Sequence, residues 1–266
     1  MALRHAVALQ RFIPFLGLHH LLMILIAIAI ILLSLLLAGC SSSSPLIPSI
    51  FLISFFYNGY TPTYNPTQVD PSVSAALANI VGQAQLEVRV GYFGVCVNPD
   101  GGSFLCSDNA TLLAQQVSVD QDPLNLIWVA ETFKNLVVFP YLIIIALILA
   151  FVTLLLLATF PGWHEERDAY GKDIDIKPFP SRAVSQVALA LIFISSIFVL
   201  VSVLWQHTAS VAAAQVAQDF GNGVVRSGVG TAAMVLGWFG FTLLLIVTIG
   251  LLSMILSISM VRRLAE

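Results

Sequence analysis

Four uncharged apolar stretches decide what this chain can be. The first covers residues 21–38, with Ser34 as its one polar side chain. The second lies between Lys134 and His164 and is taken as 136–160. The third lies between Arg182 and His207 and is taken as 183–205, and the fourth, inside the uncharged run 227–261, is taken as 232–258. About 20 helical residues cross the hydrocarbon core of a bilayer, whereas barrel strands are half that length and alternate apolar with polar residues. Only 25 of the 266 residues are charged, 9% against about 25% in a soluble domain, and the mean hydropathy is +0.94. A net charge of −3 without a basic cluster excludes a nucleic-acid partner. The expected fold class is an all-α membrane protein, a bundle of four transmembrane helices whose principal partner is the lipid bilayer.

Orientation follows from the basic residues between the spans. Arg4, Arg11, Arg167, Lys172, Lys177, Arg182, Arg262 and Arg263 fall on one side, and Arg89, Lys134 and Arg226 on the other. Positive charge collects in the cytoplasm. Segments 1–20, 161–182 and 259–266 are therefore expected inside, with both termini cytoplasmic, and segments 39–135 and 206–231 outside. The sequence Leu37-Ala38-Gly39-Cys40 also reads as a bacterial lipoprotein cleavage box. The 18-residue apolar run exceeds the 7–15 residues of a signal-peptide core, and three more spans follow, so retention of the first helix is the preferred reading.

The long segment 39–135 has a different character. Ser41, Ser42, Ser43 and Ser44, with Pro45 and Pro48, end the first helix. Residues 49–57 are rich in aromatic and branched side chains and run into Asn58-Gly59, a tight-turn pair. A Pro- and Tyr-rich connection, 61–71, follows. Residues 85–92 alternate with period two, placing Leu86, Val88, Val90 and Tyr92 on one face and Glu87, Arg89 and Gly91 on the other. Residues 94–97 and 103–106 flank a turn at 99–102. A small extracellular antiparallel β-sheet is expected.

Cys96 and Cys106 bracket that turn on adjacent strand candidates. In an oxidising compartment they would pair, a staple worth about 2–3 kcal/mol; the alternative is two buried free thiols. Cys40 is left unpaired. Asn109-Ala110-Thr111 is an acceptor sequon for N-glycosylation at Asn109, whereas Asn65-Pro66-Thr67 is not, because proline occupies its middle position. Asp122-Pro123 has the form of a helix start, with Asp122 as the cap. From there the pattern predicts an unbroken helix through Trp128 and Lys134 into the second span, kinked modestly at Pro140.

The run Gly91-Tyr92-Phe93-Gly94-Val95-Cys96, followed by Cys106, resembles the signature of a fungal tetraspan family of calcium regulators and membrane-fusion proteins induced by mating pheromone. In that family two glycines frame two aromatic or apolar residues, one residue precedes a cysteine, and a second cysteine follows after a variable gap. Gly91, Tyr92, Phe93, Gly94, Cys96 and Cys106 fall on these positions. The four-span plan and the serine-rich exit after Gly39 are also similar. The motif overlaps that of the wider claudin-like superfamily, including the fungal proteins of eisosome membrane domains, which usually carry tryptophan within it; Tyr92 and Phe93 stand here instead, a departure that favours the mating and calcium family. The resemblance implies a claudin-like fold at the plasma membrane, regulation of calcium influx and membrane fusion in mating or polarised growth, and calcium channel subunits or other membrane proteins as partners. A claudin-like organiser of membrane domains and cell wall, or a pore-forming cation channel subunit, are the alternatives.

Residues with catalytic form are scarce. Trp163-His164-Glu165-Glu166-Arg167 lacks the second histidine of a zinc-protease helix, and no phosphate loop or nucleophile motif is present. No enzyme activity, cofactor or metal centre is expected. Segment 161–182 reads as a solvated connection. All charges lie outside the four span cores, whereas pores usually carry ionisable side chains along their path. The long loop carries Asp70, Glu87, Asp100, Asp108, Asp120, Asp122 and Glu131 against Arg89 and Lys134, without the ligand spacing of an EF-hand. In the fourth span Ala233, Gly237 and Gly240 share one face at spacings of four and three, a small-residue seam for close helix packing.

Overall fold

A computed structural model of the chain describes residues 18–57, 70–99, 101–160, 164–167, 173–176 and 181–265. The Asn58-Gly59 turn, most of the 61–71 connection and Asp100 lie outside these residues. In chain order the elements are α1 (Leu18–Ala38), β1 (Ile53–Tyr57), α2 (Pro71–Val81), β2 (Glu87–Val90), β3 (Val95–Asn98), β4 (Leu105–Ser107), α3 (Ala110–Gln116) and α4 (Leu126–Leu136). They continue with α5 (Tyr141–Ala158), β5 (His164–Arg167), β6 (Asp173–Ile176), α6 (Arg182–Gly221), β7 (Val225–Val229) and α7 (Thr231–Ala265). Among the described residues, four helices are long and apolar enough to cross a membrane: α1, α5, α6 and the Thr231–Met260 part of α7. The chain is a mostly helical, multi-pass membrane protein with a small antiparallel sheet.

Two compact units can be distinguished. The first takes the N-terminal part of α1, α5 from Ile143, α6 as far as Val199, and α7 from Phe239. Along α5 the fully buried residues Ile143, Ala146, Ala150, Thr153 and Leu157 repeat every three or four positions. The opposite side shows Ile145, Ile148, Phe151 and Leu155. So much exposed, charge-free apolar surface is stable only against lipid. With lipid outside, burial alone gives helices little reason to associate, and polar and small side chains matter more. Ser195 Oγ donates to the carbonyl of Ala146 at 2.8 Å, tying α6 to α5. In β5 and β6, Glu165 pairs with Asp175 in a two-stranded antiparallel ladder, so the connection expected to be a plain solvated loop carries a hairpin of its own.

The second unit comprises residues 32–142 and 200–238. Its five-stranded antiparallel sheet has the order β4-β3-β2-β1-β7. In β2 the period-two reading holds: Val88 and Val90 are fully buried, while Glu87 and Arg89 are half-buried. These side chains join Ile53, Phe55, Tyr57, Val95 and Val97 in a core closed by Leu113 of α3 and Leu126, Ile127, Ala130 and Phe133 of α4.

Three local expectations require correction. Residues 206–231, expected as a simple loop, continue α6 to Gly221 and then add β7 to the free edge of β1, with Phe55 opposite Ser227. Hydropathy reports the membrane rather than the helix, and the alanine-rich run 211–217 has high helix propensity without the apolarity of a span. The helix expected to run unbroken from Asp122 into the second span is two helices, with α4 ending at Leu136 and α5 starting at Tyr141. Pro140 removes a donor and disfavours helical backbone at Phe139. At the break, the Val137 carbonyl accepts the Trp205 indole N–H at 2.8 Å. Asp122 is also not the N-cap residue of α4. Asn125 takes that position in the left-handed region (φ 55°), and Asp122 reaches over it to accept the N–H groups of Leu126 (2.7 Å) and Ile127 (3.0 Å).

The carboxylate of Asp122 also accepts the Tyr57 hydroxyl at 2.8 Å, and that hydroxyl accepts the N–H of Leu124 at 3.1 Å. One buried pair thus joins β1 to the start of α4. Burial, ahead of the neighbouring Asp122 charge, pushes the Tyr57 phenol well above its ordinary range. The raised value means that its contribution to stability is complete below the ordinary tyrosine pKa of about 10 and fades as the pH rises beyond it. Tyr57→Phe should cost about 1–3 kcal/mol at neutral pH, because it removes a partner from a buried carboxylate. Thermal unfolding of the detergent-solubilised protein at pH 8 and above pH 10 checks both statements: the gap between wild type and variant should narrow at the higher pH.

Candidate functional site

The glycine-cysteine motif lies where the first helix leaves its span. After Ala38 the chain turns through Gly39 and Cys40, the latter in left-handed backbone (φ 56°), and runs on through the serines. A Cβ on Gly91 would stand 2.1 Å from the carbonyl oxygen of Gly39, and one on Gly94 1.9 Å from that of Cys40. No side chain fits at either position. The two motif glycines therefore form the seat into which the exit of α1 is pressed. The Gly91 N–H donates to the Gly94 carbonyl at 2.9 Å, which closes the bend between β2 and β3.

The other motif residues fasten this seat. Cys96 and Cys106 stand opposite each other in the β3–β4 register and are joined by a disulfide. The Cys106 N–H donates to Ser43 Oγ at 3.0 Å, so the edge strand also grips the serine-rich exit. Tyr92 is buried and its hydroxyl donates to Gln206 Oε1 at 2.8 Å, linking the motif to α6. Burial holds the Tyr92 phenol above its ordinary range. Phe93 turns the other way and is 44% exposed at the tip of the bend. Cys40 is a buried free thiol whose Sγ lies 3.6 Å from the Ile50 carbonyl; burial, partly offset by Arg89, pushes it up to about 12.

Arg89 stands on the polar face that the alternation in β2 sets. It pairs with Glu87 Oε1 at 2.7 Å, donates to the Pro48 carbonyl at 3.1 Å, and lies 4.7 Å from the Phe51 ring and 4.1 Å from that of Phe104. Cation–π contact on both sides makes this arginine a clamp over the sheet's half-buried face. Among the described residues, no group of three His, Cys, Asp or Glu side chains is placed to hold a metal ion.

Asn109 is exposed and caps α3, its side-chain oxygen accepting the Thr111 N–H at 2.9 Å. A glycan attached through the amide nitrogen leaves that oxygen free to cap. In α7, Ala233 and Gly237 are buried, and a Cβ on Gly237 would stand 3.1 Å from Val203 and 3.6 Å from Leu36, so this position lets α7 approach α6 and α1. Gly240 is buried.

One feature of the second unit had no sequence reading at all. An apolar groove of about 480 Å³ lies between α4 and the far part of α6. Val129, Phe133 and Leu136 wall one side, and Ala213, Val216 and Phe220 the other. Phe55 and Val225 of the sheet also line it, and Thr132 is the sole lining residue with a polar side chain.

Four lipid-length helices and a disulfide-closed sheet seated on the exit of the first define a tetraspan membrane protein. Residues 73–257 match the family model described as Ca2+ regulator and membrane fusion protein Fig1, and the chain belongs to that family. The match takes in the motif, the disulfide and the three later spans; α1 and β1 precede it. No match was found among curated proteins.

The seat makes two checkable statements. Gly94→Ala must displace backbone and should lower stability by about 1–3 kcal/mol, whereas Gly102→Ala, with open space around the added methyl, should leave the unfolding midpoint unchanged. Cys40, buried and with its thiol held well above the ordinary range, should resist maleimide at pH 8 in the folded protein and react fully after denaturation.

Proposed function

We propose that this chain is an integral protein of the fungal plasma membrane that regulates low-affinity calcium influx and membrane fusion during mating or polarised growth. The observation that carries this reading is the family match, which spans the motif and three of the four long helices. In this reading the sheet faces the cell exterior, both termini are cytoplasmic and Asn109 carries a glycan. The protein acts without catalysis, through calcium channel subunits or other membrane proteins. The absence of charged residues from the four span cores favours regulation over conduction.

A second reading, a claudin-like organiser of membrane domains and cell wall, draws on the exposed Phe93 ring, which presents an apolar tip to a partner surface. Calcium uptake and cell fusion after pheromone treatment, measured in deletion cells and in cells carrying Cys96→Ser, separate the two. We expect both responses to fall severalfold in the deletion, and the variant to lose surface delivery. Normal uptake and normal fusion in the deletion would overturn the first reading. A cation current from the purified protein in bilayers would instead make it a pore.

A further inference from the structure

The groove between α4 and α6 is open, apolar and unoccupied by any side chain that the described residues supply. Left to water, such a surface is unfavourable. Its volume of about 480 Å³ lies within the range of about 300–1,000 Å³ typical of small-molecule sites. What fills it is indicated by where it begins. Leu136 and Val137, where α4 ends, are among its lining residues, and the Val137 carbonyl holds the indole of Trp205. Trp205 is 54% exposed, and Phe139 and Tyr141 stand beside Val137 in the chain, exposed and in edge contact at 5.2 Å. Exposed Trp and Tyr at the end of a span mark the boundary between hydrocarbon and water. The Leu136–Val137 part of the groove therefore lies beside this aromatic belt.

From there it climbs away from the bilayer. Along α6, Ala213 lies about 12 Å and Phe220 about 22 Å beyond Trp205 at 1.5 Å per residue. The chemistry of the walls selects the occupant. An extended peptide buried here would leave its N–H and C=O groups facing a lining with one hydroxyl, at a cost of a few kcal/mol for each unpaired group. A hydrocarbon chain has no such groups. We infer that the groove takes an acyl chain of a bilayer phospholipid, drawn up out of the leaflet on the sheet side between α4 and α6. This goes beyond the functional reading above: it needs only the bilayer, and holds or fails whatever the protein does to calcium.

The full-length protein in phosphatidylcholine nanodiscs, doped with a phosphatidylcholine that carries a diazirine at the acyl terminus, tests it. That terminus normally sits at the bilayer centre, so capture far above the belt reports a displaced chain. After illumination and digestion, adducts are expected on peptides from 126–137 and 213–221 as well as on the spans. Ala217→Trp, which fills the groove, should lower labelling of the groove peptides about tenfold while span labelling stays unchanged. Val129→Gln, a change at a half-exposed wall position that the fold should tolerate, should lower it in the same direction. Labelled spans with unlabelled groove peptides would overturn the inference. So would groove labelling indifferent to both substitutions, or a photoreactive group at Val129 captured by residues 58–69 or by a second copy of the chain instead of lipid.

Discussion

The close approach of the first helix's exit to the motif glycines is the contact on which the sheet-bearing unit depends. An apolar helix that ends where it leaves a bilayer must find new surroundings for its last carbonyls within a few residues. Here the carbonyls of Gly39 and Cys40 lie against Gly91 and Gly94, at separations that admit hydrogen but not a methyl group. Cys40 accepts left-handed backbone to make that turn, and Gly39 is itself pressed against the Ile50 carbonyl. The sheet is thus built around the end of a span rather than placed beside it. This explains why the motif couples glycines to cysteines. Close packing fixes where β2 and β3 stand, and the disulfide prevents β4, three residues long, from peeling off the edge.

The same economy of polar contacts runs through the rest of this unit. It holds few charged side chains, and three of them, Asp122, Arg89 and Asp70, are tied into its framework. Asp122 has three partners, two from backbone and one from Tyr57, and so satisfies a helix start and a strand with one carboxylate. Arg89 spends its charge on Glu87 and a carbonyl and its flat faces on two phenylalanine rings. Asp70 accepts from Ser72 and Val73 at the start of α2, and hydrogen bonding from Ser72 holds its carboxyl below the ordinary range. Its backbone is in turn gripped by Asn222, after α6, which accepts the Asp70 N–H at 2.9 Å. These acids serve the architecture, and that accounts for a loop rich in acidic residues whose described members do not converge on an ion.

What could be read in advance was what is local. The alternation in β2 and the pairing of Cys96 with Cys106 depend on neighbours within about ten residues, and both are visible in the string. The four spans are visible because the bilayer imposes one composition over twenty residues. β7 was not, because its five residues, Val225–Val229, include Arg226 and Gly228, and its partner β1 lies about 170 positions away. Asp-Pro shows how context overrides a rule: Asp70-Pro71 starts α2 as the capping rule says, whereas Asp122-Pro123 starts nothing until the left-handed Asn125 has passed. The motif glycines gave no sign of what presses on them, since Gly39 and Gly91 are 52 residues apart. The groove was hidden for a related reason. The stripes at 129, 133 and 136 and at 213, 216 and 220 look like ordinary core faces, and only the fold reveals that they stand apart.

That separation has a structural cause. α6 continues from its span to Gly221 without interruption, while the opposite wall is cut at 137–140, where Pro140 ends one helix and begins another. A continuous α4–α5 helix would carry its stripe straight into the membrane. The break lets α4 follow the sheet instead, its buried side on β1, β2 and β3 and its remaining apolar residues turned toward α6. One rigid wall and one redirected wall leave a gap that small residues, Ala213 and Ala217, do not fill. Had larger side chains stood there, the two helices would close into an ordinary core. The alanines that favour the helix extension therefore also keep the groove open. The Trp205 indole, bound to the Val137 carbonyl, ties α6 to the wall that Pro140 interrupts. An apolar slot is thus kept open by a proline that ends one wall and two alanines that leave the other wall unfilled.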